Sequence, residues 1–284
     1  LSPAARRVVT HSLASLTRLD TLQAKFGAPV LAMSEGVTPH ESANLSFFAG
    51  MEAVHARSYS SIFSTLLSSE EIEEAFELAD NDKLLTQNIH TLLRVYENTK
   101  AELPMKCFYS VMLESFLFYT GFYPVLKLAS EGKLTNTADI IRLIMRDEAI
   151  HGFYIGGIFE RAKSDPQYKG LYDSSSELFN QMCQVVYDLY TVEKRRIEEY
   201  YIWSDHAAKW IPDALAFLKY NAKLAASNLG NVDYASYTGD LQPVSPAIMS
   251  QLSTVSDETH DFFSGSGSSY VIGKVEELSD EDWA

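Results

Sequence analysis

Met51-Glu52-Ala53-Val54-His55-Ala56-Arg57-Ser58-Tyr59 lies between strong helix-forming residues on both sides, and its reading decides the fold. On a helix, positions three and four apart share a face. Glu52, His55 and Tyr59 therefore project a carboxylate, an imidazole and a phenol to one side. A near copy, Glu148-Ala149-Ile150-His151, follows later in the chain. One Glu-x-x-His arises by chance about once in a chain of this size. Two, with almost the same tetrapeptide, point to a repeated helical unit.

Working outward, two more carboxylates fall on apolar helical stretches. Asp20 lies on the side of Val8, Val9, Leu13, Leu16 and Leu19, in a helix opened by Ser2 as N-cap and Pro3 in the first turn. Glu114 sits in Met112-Leu113-Glu114-Ser115-Phe116-Leu117-Phe118-Tyr119, too apolar a setting for a solvated acid. The gap from Asp20 to Glu52 nearly equals that from Glu114 to Glu148, so four helices read as two copies of one hairpin. This predicts an all-α bundle and resembles the ferritin-like di-iron and di-manganese proteins, which carry such a ligand set in the core with Glu in place of Asp20.

Around these helices, residues 27–39 read as a loop and Ser68 to Tyr96 as two shorter helices. Pro124 is expected to kink its helix, and Thr135 or Thr137 to cap the next one. Further helices are expected over about 167–201 and 211–229, closed by Gly230. The helical domain thus spans residues 1–230. From Asn231 the pattern fails, and residues 231–284, with Phe262-Phe-Ser-Gly-Ser-Gly-Ser-Ser-Tyr270 and an acidic end, read as a flexible tail.

The formal net charge of −15 argues against nucleic acid or an anionic membrane as partner, since both call for clustered Lys and Arg. Cys107 and Cys183 lack metal-ligand spacing and make no disulfide framework, which favours a reducing cytoplasm. No run of about 20 uncharged apolar residues would span a bilayer, and no cleavable leader is read at the start. The chain opens at Leu1, so a missing front portion is expected.

A lone histidine on an apolar helix face is more often a hydrogen-bonded core residue than a ligand, and a lone buried glutamate usually finds an arginine. Charge decides otherwise here. Four carboxylates in one core would each cost several kcal/mol without compensation, whereas two divalent ions balance Asp20, Glu52, Glu114 and Glu148. Oxygen ligands with one imidazole per ion (His55, His151) and no thiolate suit iron or manganese and leave the choice between them open. Phe118 and Phe122 follow Glu114 at one and two turns, and Ile144 precedes Glu148 by one, so the three can wall the space beside Tyr59.

These residues carry a resemblance. Thr38-Pro-His-Glu41, Met51 through Tyr59 continued to Leu66, Leu113-Glu-Ser-Phe-Leu-Phe-Tyr119, Lys133-Leu-Thr-Asn-Thr-Ala-Asp-Ile-Ile-Arg-Leu-Ile144 and Arg146-Asp-Glu-Ala-Ile-His-Gly-Phe-Tyr-Ile-Gly156 resemble the small, radical-generating subunit of class Ib ribonucleotide reductase. So does the tail, Asp261-Phe-Phe-Ser-Gly-Ser-Gly-Ser-Ser-Tyr-Val-Ile-Gly-Lys274. The match covers nearly the whole chain.

The resemblance implies a ferritin-like homodimer with two manganese or two iron ions per chain. Asp20, Glu52 and His55 would hold one ion, and Glu114, Glu148 and His151 the other. Oxidation at this centre would leave a stable radical on Tyr59, passed to a cysteine of a separate large catalytic subunit that reduces ribonucleoside diphosphates. The resemblance further implies a flavodoxin-like activating protein that supplies the oxidant for a dimanganese form. It makes Asp147 the carboxylate that orients His55, Tyr270 a tail residue on the transfer route, and the acidic end the segment that docks on the large subunit.

Three departures stand out. The chain starts after the family's relay tryptophan, Lys223 and Leu224 replace polar residues of the oxidant channel, and Ala284 replaces an aromatic terminus. Residue spacing alone also accommodates a ferritin-like metal storage protein or a dimetal oxidase acting on a small organic substrate.

Overall fold

A computed structural model describes residues 1–230 and 243–253. Among the described residues every regular element is helical, as the spacing predicts. Local sequence sets most helix starts. Ser2 accepts from the Ala5 N–H to open α1 (Pro3–Leu22), with Pro3 at its first turn. Thr38 and Glu41 form a reciprocal capping box that opens α3 (Pro39–Leu66), and Ser68 with Glu71 repeats it for α4 (Ser69–Asp80). Asp82 accepts from the N–H groups of Leu84 and Leu85 to open α5 (Lys83–Tyr96).

The expected loop after Gly27 is shorter than its glycines and prolines suggest. A π-helical turn, Gln23–Gly27, carries the chain from α1 into α2 (Ala28–Ala32), where Pro29 falls in the first turn and needs no intrahelical N–H bond.

The centre of the bundle is one nearly continuous helical rod: α6 (Leu103–Met112), a π-helical turn (Leu113–Leu117) and α7 (Phe118–Ala129). Between Leu103 and Ala129 every residue is buried except Met105 and Gly121, which are partly covered. A helix apolar on all sides belongs inside. Around the rod pack α1 against α7 and α8 (Thr135–Lys163) against both α6 and α7, while α3 rests on α1 and α8. Pro124 lies within α7 without ending it. Its ring leaves the Thr120 carbonyl without the usual backbone donor, and the Tyr201 hydroxyl donates to that carbonyl at 2.6 Å.

α8 opens after Leu134, which sits at φ 52° and makes no side-chain cap bond, so neither Thr135 nor Thr137 caps it. Farther on, α9 (Glu177–Tyr200) starts later than expected, at the Ser176 cap. α10 (Ala207–Asn228) starts earlier and accommodates Pro212 inside it. Gly156 lets α8 approach the end of α10: a Cβ there would meet the Asn228 carbonyl oxygen at 2.2 Å.

Most of the expected tail lies outside the described residues. Within it, Pro246–Ser253 form α11, which rests on α7 through the buried Ile248, while Ser245 donates to Asp213 from both its backbone N–H and its hydroxyl.

Candidate metal centre

Asp20 comes from α1, Glu52 and His55 from α3, Glu114 from the π turn in the central rod, and Glu148 and His151 from α8. Each is at most 2% exposed. Their ligand atoms form two sets in which all lie within 4.8 Å of one another: Asp20, Glu52, His55 and Glu148, and Glu52, Glu114, Glu148 and His151. Glu52 and Glu148 belong to both. Where the resemblance implies a three-and-three division, the packing gives two four-residue sets sharing two carboxylates.

His55 Nδ1 faces Glu148 Oε1 at 2.9 Å, and Asp20 Oδ1 and Glu52 Oε2 at 3.5 Å each. His151 Nδ1 faces Glu52 Oε1 at 2.7 Å, Glu148 Oε2 at 3.2 Å and Glu114 Oε2 at 3.6 Å.

The donor set fits a pair of cations. Both oxygens of Asp20 and of Glu52, one oxygen each of Glu114 and Glu148, and His55 Nδ1 are buried without a hydrogen-bond partner. Buried acceptors left this way are costly, and their clustering in one place marks a cation site rather than seven separate defects.

The electrostatics agree. Burial pushes the Asp20 carboxyl up to about 8. Burial and the neighbouring Glu52 charge raise Glu114 and Glu148. Glu52 is also pushed up by burial, but the adjoining His151 and His55 rings outweigh that and hold it low. Burial works against a charged His151, yet the Glu114, Glu148 and Glu52 carboxylates around its Nδ1 bring it up to about 12. Without cations, protons must neutralise this much acid, and divalent ions take their place on binding.

Tyr59 lies one turn beyond His55 on α3, fully buried, its hydroxyl without a partner. Burial, and then the charges of Asp20, Glu148 and Glu52, raise its pKa well above the usual phenol. Phe118, Phe122 and Ile144 are buried in the same core cluster as Tyr59. Asp147 Oδ2 lies 3.1 Å from His55 Nε2 with its side chain 35% exposed. Tyr270 lies outside the described residues.

Two contacts escaped the sequence reading. Gln23 reaches Glu114 Oε1 through its amide nitrogen at 2.6 Å, and the Phe48 ring packs on His151 with centroids 4.2 Å apart. The signal was present in both cases: Gln23 stands three residues after Asp20 and Phe48 four before Glu52, each on the ligand face.

Comparison with known proteins agrees with this geometry. A family model described as ribonucleotide reductase, small chain, matches residues 1–238. The chain is 45% identical to ribonucleoside-diphosphate reductase 2 subunit beta of Escherichia coli (strain K12), over 94% of this chain and 80% of that one. It is 42% identical to ribonucleoside-diphosphate reductase subunit beta nrdF2 of Mycobacterium tuberculosis, over 100% and 83%. Among solved structures, the dimanganese(II)-NrdF of Streptococcus sanguinis superposes with a TM-score of 0.75 at 34% identity, covering 89% of this chain and 84% of that one.

Proposed function

The chain belongs to the ribonucleotide reductase small-chain family, the beta subunits of ribonucleoside-diphosphate reductase, and from that premise we propose that its dimetal centre generates and holds a radical on Tyr59. Members of this family work with a large catalytic subunit, typically as homodimers; the storage and oxidase readings have no comparable support.

The observation that carries the proposal is a phenol one helical turn from a ligand histidine, fully buried and with an unpartnered hydroxyl. When bound, the metal pair supplies the oxidising equivalent. Tyr59 would give up one electron to that oxidised pair and its phenolic proton to a carboxylate of the centre, and would retain the spin, while burial excludes water and solution reductants. Asp20, Glu52, Glu114, Glu148, His55 and His151 hold the ions. Phe118, Phe122 and Ile144 belong to the apolar packing that keeps the radical dry.

Asp147, partly exposed, orients the His55 ring through its contact with Nε2. Tyr270 and the acidic tail end carry the transfer and docking roles within residues 231–284, the stretch that follows the helical domain over 1–230 and of which Pro246–Ser253 pack on α7. The dimanganese relative favours manganese; a flavodoxin-like protein delivering the oxidant is our reading from the family resemblance. We place the protein in the cytoplasm; no described helix is long and apolar enough to cross a membrane.

The test is electron paramagnetic resonance on protein matured with iron and dioxygen, or with manganese and the flavodoxin-like activator. A tyrosyl radical is expected, absent from Tyr59→Phe with metal content unchanged. A radical that persists in that variant would overturn the assignment to Tyr59, and no radical with either metal would overturn the reading as a whole.

A further inference from the structure

Glu114 differs from the other three carboxylates of the centre. Among the described residues, it alone accepts a hydrogen bond from a side chain outside the ligand sets and Asp147: Gln23 donates to its Oε1 at 2.6 Å. The same amide nitrogen donates to Ser110 Oγ at 2.7 Å, and Gln23 Oε1 accepts from the Tyr96 hydroxyl at 3.1 Å. Gln23 and Ser110 are fully buried and Tyr96 is 3% exposed. An ionised Glu114 can only accept, so the amide atom facing it must be the nitrogen, and Tyr96 holds the other end of the amide in that sense. Only Glu114 Oε2 is then left without a partner, on the side of His151 Nδ1.

The backbone is shaped for this arrangement. Gln23 opens the π turn that follows α1, and Gly27 closes it. A Cβ on Gly27 would lie 1.8 Å from Gln23 Oε1 and 2.6 Å from its Cδ, so any larger residue there evicts the amide.

The geometry points to Gln23 as a positioning residue that ties down one oxygen of Glu114, so that the ion on the His151 side is held through Oε2 alone. Asp20, both of whose oxygens are free, serves the His55 side without such a tether. The two halves of the centre are therefore unequal, and Gln23 acts on one of them. The inference rests on the ligand reading of the four carboxylates, and its test separates the two.

Manganese(II) alone is titrated into the chelator-stripped full chain, with free ion read by electron paramagnetic resonance. The wild type is expected to take up two ions. Gln23→Met keeps the volume and removes the donor, and Gly27→Ala displaces the Gln23 amide while removing no donor or acceptor. Each is expected to bind one ion as the wild type does and the second at least tenfold more weakly, within the roughly 10–100-fold range for outer partners of metal ligands.

Unchanged affinities in both variants would overturn the role of Gln23 and leave the ligand set standing. Equal weakening of both steps would also overturn it, because a purely structural defect does not choose one ion. A wild type that takes up fewer than two ions overturns the ligand reading itself. Should a variant fail to fold, Tyr96→Phe, which frees the amide to turn over, carries the same expectation for the second ion with a smaller change.

Discussion

His55 Nε2 lies 3.1 Å from Asp147 Oδ2, while its Nδ1 faces the carboxylates of Asp20, Glu52 and Glu148. With the ring proton on Nε2 donated to Asp147, the Nδ1 lone pair is turned to the metal side. The carboxylate thus sets both tautomer and ring orientation. Asp147→Asn can accept through its oxygen but loses the negative charge that strengthens the bond. Manganese(II) affinity on the His55 side is expected to fall by about tenfold, at the low end of the range for such partners. Stepwise titration reads it.

Sharing of Glu52 and Glu148 between the two ligand sets makes a distinct prediction about stoichiometry. Glu148→Ala removes a donor from both sets and is expected to take bound metal from about two ions per chain to near none. His55→Ala removes a donor from one set only and is expected to leave about one ion. Metal analysis after gel filtration distinguishes them, and equal losses would contradict the sharing.

The Tyr201 hydroxyl partners the Thr120 carbonyl that Pro124 leaves without a backbone donor. Tyr201→Phe strands a buried acceptor and is expected to lower stability by about 1–2 kcal/mol. Urea unfolding of the variant against the wild type measures it. Because the defect lies at the helix turn and not at the ligands, metal stoichiometry should be unchanged.

A second buried polar cluster links the helices away from the candidate metal centre. Asp82 accepts from Arg196 Nε at 3.0 Å, caps α5, and lies 3.4 Å from His11 Nε2. Burial chiefly, helped by the Arg196 and Arg7 charges, lowers the His11 pKa despite Asp82. Burial alone would raise Asp82, but the His11 hydrogen bond, the Arg196 charge and the Leu85 N–H hold it far below its ordinary value.

Both shifts act in the same direction. A histidine held neutral loses stability to the unfolded chain as pH falls below its ordinary 6.5. A depressed aspartate keeps its contribution above its ordinary 3.8 and loses it as pH falls further, through the folded-state value. Stability should therefore decline in two stages on acidification. At neutral pH, Asp82→Asn is expected to cost about 1–3 kcal/mol by weakening one of the charged partners of buried Arg196, which keeps Glu193. Denaturation curves across the pH range check both.

Much of the centre was legible in the chain. Glu52 with His55, and Glu148 with His151, are readable because helical spacing alone puts each pair on one face. Asp20 and Glu114 were legible as acids among apolar residues. The Gly27 region was misread because glycine and proline signal a loop unless a π turn and a first-turn position absorb them. The start of α8 was misread because a left-handed Leu134, not a threonine, precedes it.

Local periodicity and composition determined the helices, their apolar faces and the six donors, since these depend on residues a few positions apart. Which carboxylates are shared, that Gln23 tethers Glu114, and that Tyr201 serves a carbonyl 81 positions away were decided only by the packing of α1, α3 and α8 around the central rod. Contacts between helices depend on axial offset and rotation. Many side chains set those jointly, so no short stretch of the chain encodes them.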